Sequence, residues 1–218
     1  LRNLIQLQTV LRKGNWQITV ALYKDHTSQL PKVLSVWSGL HEAGIYGLAI
    51  DLGSTTIAAH LTDLKSGAVI ASSGIMNPQI RFGEDLMSRV SYSMMNPGGD
   101  QEMTTSVREA INVLIGDIAK EAGIANDLIL EVVFVCNPVM HHLLLGIDPI
   151  ELGQAPFALA TSGSMTLGAN DLDLNAMNTS AQCYILPCIA GHVGADAAAV
   201  ALSEEPGKSD DLVLIVDV

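Results

Sequence analysis

The stretch "YGLAIDLGSTTIAAHLTD", residues 46–63, decides the fold. An apolar run rises to one carboxylate, Asp51, breaks into Gly53-Ser54-Thr55-Thr56 and resumes as a second β-prone run. Gly53 lets the backbone approach where a side chain would block it, and a turn of this kind offers N–H and hydroxyl donors in a concavity suited to phosphate oxygens. An acid beside such a concavity repels phosphate unless a cation lies between them, and magnesium does this through water and one or two carboxylates. The tip thus reads either as a nucleotide–metal site or as an ordinary hairpin with a polar end.

Working outward, "LKSG" (64–67) is a second short turn and "AVIASSGI" (68–75) a third strand, so the region is an antiparallel meander. "FGEDLMSRVSYSMM" (82–95) places Phe82, Leu86, Val90 and Met94 four apart, one stripe of a helix. "QEMTTSVREAINVLIGDIAKEAG" (101–123) continues as a long helix with Met103, Val107, Ile111, Leu114, Ile115 and Ile118 on one face and Gly123 as its C-terminal stop. "LILEVVFVC" (128–136) is apolar enough to be a strand covered on both faces. "NPVMHHLLLG" (137–146) opens a short helix with Asn137 as cap and Pro138 in its first turn. His141 and His142 point about 100° apart on that helix and do not readily share a metal, so at least one is expected at the surface. Residues 147–181 are polar and aperiodic and read as a surface insertion. "CYILPCI" (183–189) is a strand, "GHVGADAAAVALSEE" (191–205) a helix, and "LVLIVDV" (212–218) a last strand rising to Asp217 as the first rises to Asp51.

The order predicts an α/β fold: three antiparallel strands, then helices alternating with parallel strands in one mixed, ribonuclease H-like sheet. Residues 1–44 differ, with "NWQITVALYKD" (15–25) and "VLSVWSG" (33–39) as strands around a loop, the end of a preceding middle or linker domain. Trp16 and Trp37 sit in these runs as packing residues.

Composition narrows the function. Hydrophobic residues make up 49% of the 218 and aromatics 4%, an aliphatic core. A formal charge of -12 argues against nucleic acid or anionic membrane as a partner. No apolar run approaches the roughly 20 residues of a membrane span, and no leader is visible. Cys136, Cys183 and Cys188 lack a paired spacing, which favours buried packing thiols and a reducing cytoplasm over disulfides or a thiolate metal site.

"LAIDLGSTTIAAHL", in this element order, resembles the first phosphate loop of the superfamily of acetate and sugar kinases, heat-shock chaperones and actin. "MNPQIRFGEDLMSRV" (76–90), "CNPVMHHLLLGIDP" (136–149) and "LPCIAGHVGADAAAVAL" (186–202) resemble the reductive activators of corrinoid-dependent proteins. That resemblance implies two actin-like subdomains facing each other across ATP. It also implies an N-terminal two-iron two-sulfur domain as electron source, and ATP-driven return of cob(II)alamin to cob(I)alamin in a corrinoid methyl-transfer protein. Residues 45–210 are then the first subdomain and 211–218 the opening strand of the second. The chain opens on Leu1, carries no ferredoxin cysteines and ends where the second phosphate loop would begin, so a fragment is expected.

By the same resemblance, Asp51 holds magnesium through water, Gly53, Ser54, Thr55 and Thr56 cradle the phosphates, and Asp217 is the acid of the second loop. Asp196 either caps its helix or, with Asp51, positions water and metal as a catalytic acid residue. Asn77, Arg81, Glu84 and Asp85 form a polar group after the third strand, where the two acids suit a first helical turn. A small-molecule kinase and a non-catalytic corrinoid-protein docking module are the alternatives. The apolar end at 211–218 is expected to tuck or to pair with a second copy as a homodimer.

Overall fold

The structure, a computed structural model, describes residues 2–25 and 30–208, with Leu212 and Leu214 beyond them. The chain begins with helix α1 (Arg2–Lys13), followed by strands β1 (Ile18–Tyr23) and β2 (Lys32–Ser38), which pair antiparallel. The two strands are as expected. The helix is not, because the sequence reading of this region began at Asn15. Trp16 corrects the packing expectation: it takes a positive φ of 67° at the turn and is 69% exposed, whereas Trp37 is half-buried and stacks on His41 at 4.0 Å.

The meander follows as β3 (Tyr46–Leu52), β4 (Thr56–Asp63) and β5 (Val69–Met76). A 3-10 turn at Pro78–Phe82 leads to α2 (Leu86–Met95) and α3 (Gly99–Glu121). Helix α2 starts four residues later than the Phe82 stripe suggested, because Asp85 accepts a hydrogen bond from the Ser88 N–H and sets the N-cap there. Met94, the last member of that stripe, is exposed. All six residues of the α3 stripe are fully buried, each worth roughly 1.5–3 kcal/mol. The helix ends as expected at Gly123, whose φ is +66°. Its N–H reaches the Lys120 carbonyl while the Ile124 N–H reaches that of Ala119.

Strand β6 (Ile129–Cys136) lies parallel to β3, and helix α4 (Pro138–Leu145) follows. One face of β6 is fully buried and Val133 and Val135 on the other are half-buried. Residues 147–181 are more than a surface insertion. They contribute β7 (Met165–Gly168), which pairs antiparallel with β8 (Gln182–Ile185), itself parallel to β6. Helix α5 (Ala195–Glu204) closes the described fold. Among the described residues the sheet has six strands in the order β5-β4-β3-β6-β8-β7: the predicted antiparallel meander and parallel strands, with β7 as an added edge strand.

Alternation sorts the meander residues. Leu48, Ile50, Leu52, Ile57, Ala59 and Leu61 point into the core beneath α3, whereas Ala49 and Asp51 lie on the open face. The expected strand at 212–218 and Asp217 lie outside the described residues, apart from Leu212 and Leu214. Among the described residues no helix is long and apolar enough to cross a membrane.

Candidate functional site

The site is built at the C-terminal ends of β3 and β6. Asp51 is exposed near the end of β3, opposite Val135 of β6 and Ala58 of β4 in register. The turn from Gly53 to Thr55 joins β3 to β4. A Cβ at Gly53 would sit 2.5 Å from the Thr56 carbonyl oxygen, so the turn closes this tightly only around glycine.

The segment after β5 holds the turn from behind. Asn77 is fully buried and does three things. Its Nδ2 donates to the Gly53 carbonyl at 2.8 Å and its backbone N–H to the Thr55 carbonyl at 2.8 Å, while its Oδ1 accepts from the Gln79 N–H at 2.9 Å. Arg89, also fully buried, donates from Nη2 to the Ser54 carbonyl. Three successive carbonyls of the turn are thereby engaged. In a trans peptide the N–H opposes the C=O, so the Ser54, Thr55 and Thr56 amides are turned away from the groups that hold their carbonyls. The Ser54 and Thr55 N–H groups have no partner among the described residues, which leaves donors at the tip for an acceptor from outside.

Asp196 arrives from the other side. Gly194, the residue before α5, is pressed against the end of β6: a Cβ there would lie 2.4 Å from the Cys136 carbonyl oxygen and 2.6 Å from the Asn137 Cα. Gly194 occupies the cap position, so Asp196 is not the cap. Its Oδ1 accepts from the Ala197 N–H at 2.8 Å within the first turn. Burial pushes the Cys136 thiol well up, and Cys188, Asp196 and Asp51 act in the same direction. Asp217, the acid expected from the second loop, lies outside the described residues.

The other expected polar residues divide. Arg81 lies over the Phe82 ring at 4.6 Å, and Glu84 and Asp85 are exposed, with Asp85 capping α2. Asn137 caps α4 as expected, accepting from the Met140 N–H at 2.9 Å. His141 and His142 correct the surface expectation, since both are buried. Burial lowers His141 to about 4 and His142 in the same direction. His142 bonds the Pro138 carbonyl through Nδ1 at 2.8 Å and accepts the Ala160 N–H at Nε2, 3.1 Å away. The cysteines are buried and free, and burial raises Cys183 to about 12 and Cys188 to about 11. They are packing groups, as expected.

Arg89 escaped the sequence reading. It is the lone charged residue of α2, one position from the Phe82–Leu86–Val90 stripe, and its only other signal was its place inside "MNPQIRFGEDLMSRV".

The family comparison falls on the same elements. The model for the RACo middle region matches residues 46–207, and that for the RACo linker region matches residues 1–43. The chain belongs to the RACo family. A corrinoid activation enzyme, RamQ of Eubacterium limosum, is 33% identical over 173 residues, which cover 79% of this chain and 29% of that protein. A solved structure of a reductive activator for corrinoid, iron-sulfur protein superposes with a TM-score of 0.85 at 34% identity, over 97% of this chain and 33% of that one. The sheet is thus the mixed sheet of a RACo middle region, consistent with an actin-like ATPase type of fold. The chain spans about a third of the length of these two relatives.

The arrangement suits phosphate. Outward amides at Ser54 and Thr55, hydroxyls at 54–56 and a turn that only glycine closes make an anion cradle. Among the described residues no three His, Cys, Asp or Glu side chains gather as a metal cage. Asp51 and Asp196 offer what a hydrated magnesium ion takes from protein when phosphate supplies other ligands, one or two carboxylates.

Proposed function

We propose that the protein carrying this chain is an ATP-dependent reductive activator, returning the cob(II)alamin of a corrinoid methyl-transfer protein to cob(I)alamin. The observation that carries this reading is the back-held turn at 53–56, with unpartnered amides, in a chain of the RACo family. Residues 45–210 act as the first of two nucleotide-facing subdomains and residues 211–218 lead into the second, with Asp217 as its acid. Residues 1–44 link them to an iron–sulfur domain that supplies the electron.

Within this chain, the Ser54 and Thr55 amides and the hydroxyls of Ser54, Thr55 and Thr56 bind phosphate oxygens. Gly53 keeps the turn close enough for them to converge. Asp51 holds magnesium through water, and Asp196, across the end of β6, orients a water of that shell. ATP when bound supplies the free energy for an uphill electron transfer, and magnesium the charge that lets Asp51 lie beside phosphate. Family membership supports this reading over a small-molecule kinase or a docking module without turnover.

The test is direct. The full-length protein, a low-potential reductant and its corrinoid partner should restore the cob(I) absorption spectrum only with ATP, and ATP hydrolysis should rise when the partner is added. Restoration at the same rate without ATP contradicts the reading.

A further inference from the structure

Arg89 is fully buried, yet among the described residues no carboxylate forms an ion pair with it. Its nearest charged influence is Asp85, an exposed residue already committed to capping α2. A guanidinium stays protonated in proteins, and an isolated buried cation is costly. Here every hydrogen-bond partner is a dipole, and Asp85 acts only from beyond ion-pair distance. Nε donates to the Gly83 carbonyl at 3.1 Å, Nη1 to Gln79 Oε1 at 3.2 Å and to Met140 Sδ at 3.1 Å, and Nη2 to the Ser54 carbonyl. Gln79 is itself fixed, its Nε2 donating to the Met103 carbonyl of α3 at 2.9 Å.

Each of these hydrogen-bond partners is neutral, so no carboxylate among the described residues pairs directly with the charge behind the turn. The peptide joining Ser54 to Thr55 lies between it and solvent, its oxygen toward the guanidinium and its N–H away. A cation that draws the carbonyl inward polarises that peptide and strengthens its N–H as a donor. A structural pin for α2 would not need a charge, whereas a site for a polyanion gains from one held where water cannot screen it.

We propose that Arg89 is the positioning residue of the phosphate loop, fixing the Ser54–Thr55 peptide with its N–H outward and supplying from behind the positive charge that an incoming polyphosphate neutralises. The proposal rests on the nucleotide reading of the turn. It goes beyond that reading by assigning the loop's orientation and charge to a residue that does not touch the ligand.

The experiment compares Arg89→Met, which removes the charge and keeps the apolar stem, with Arg89→Lys, which keeps the charge and loses the planar fork. Titration calorimetry on the full-length protein with Mg·ATP and, separately, with adenosine supplies the readout. Arg89→Met should weaken ATP at least about tenfold, Arg89→Lys should recover part of that loss, and adenosine affinity should stay within twofold for both. A merely structural role predicts parallel losses for ATP and adenosine, or equal losses in the two variants, and either result overturns the proposal. ATP binding by the wild type that neither variant changes overturns it while leaving the nucleotide reading intact. A wild type that binds adenosine and ATP equally, or neither, overturns both. If Arg89→Met does not fold, Arg89→Lys alone decides, by a loss of ATP affinity with adenosine affinity unchanged.

Discussion

Two turns in the same meander solve the same problem in opposite ways. The β4–β5 turn at 64–67 satisfies its Lys65, Ser66 and Gly67 N–H groups locally, at Asp63, while its Leu64 N–H donates to the Ile45 carbonyl at 2.9 Å. Asp63 Oδ1 accepts from the Lys65 and Ser66 N–H groups, both at 2.8 Å, and from the Ser66 hydroxyl at 3.1 Å, while the Gly67 N–H returns to the Asp63 carbonyl at 2.8 Å. Those donors, from Ser66 and then Lys65, hold the Asp63 carboxyl below its usual range. The β3–β4 turn at 53–55 leaves its Ser54 and Thr55 N–H groups without a partner among the described residues and has its carbonyls held by Asn77 and Arg89, 24 and 35 residues away. A turn that only reverses the chain has no need of remote side chains to hold its tip. One that must keep donors open does, because local satisfaction would consume them. The contrast favours a binding tip over an ordinary polar hairpin end.

The sharpest way to break the contrast is at Asp51. Being exposed on the open face, it adds little to packing. Asp51→Asn should therefore lower ATP-dependent corrinoid reduction by about two orders of magnitude, the scale for removing one preorganised electrostatic partner, with the melting temperature within about 2 °C of wild type. An equal fall in stability would return Asp51 to a structural role.

The second comparison sets Asn77→Ala against Asp63→Ala. The first removes a cap and strands the half-buried Gly53 carbonyl, so it should cost about 2–4 kcal/mol in denaturant unfolding and lower activation as well. The second, at an exposed turn whose tip is satisfied locally, should shift stability far less and leave activation unchanged. Similar effects in both variants would erase the distinction between the turns.

Much of this was legible because periodicity reports burial. The meander and the α3 face followed from spacing alone, with Met103 through Ile118 buried as predicted, and Gly123 punctuated the helix where φ had to turn positive. The site was legible in its tip and not in its support. Asn77 looked like one member of a polar group after the third strand because nothing local shows that its side chain reaches back to Gly53. Arg89 was invisible for the same reason, since burial of a charge is decided by partners distant in sequence. β7, four residues long, lies within a polar stretch and is too short for alternation to register. His141 and His142 were misplaced because α4 is enclosed on all sides, and a helix without an exposed face has no polar stripe to read.

His141 gives the smallest expected effect. Its folded value of about 4 lies below the ordinary 6.5, so the unfolded chain binds a proton between these values that the native chain does not. Stability should therefore be fully present above about pH 6.5 and fall on acidification toward pH 4, with a slope of at most about one proton. His141→Leu should flatten that slope without loss near pH 8, because neither ring nitrogen has a hydrogen-bond partner. An unchanged acid slope would assign the dependence to other groups, His142 first.

The account's central claim is that the β3–β4 turn binds the phosphates of ATP through the amides that Asn77 and Arg89 turn outward. A crystal structure of the full-length protein with magnesium and a non-hydrolysable ATP analogue tests it most directly. The account predicts phosphate oxygens within about 3 Å of the Ser54 and Thr55 nitrogens and a hydrated magnesium ion on the Asp51 side. Phosphates bound elsewhere, with those two amides still facing solvent, would contradict it.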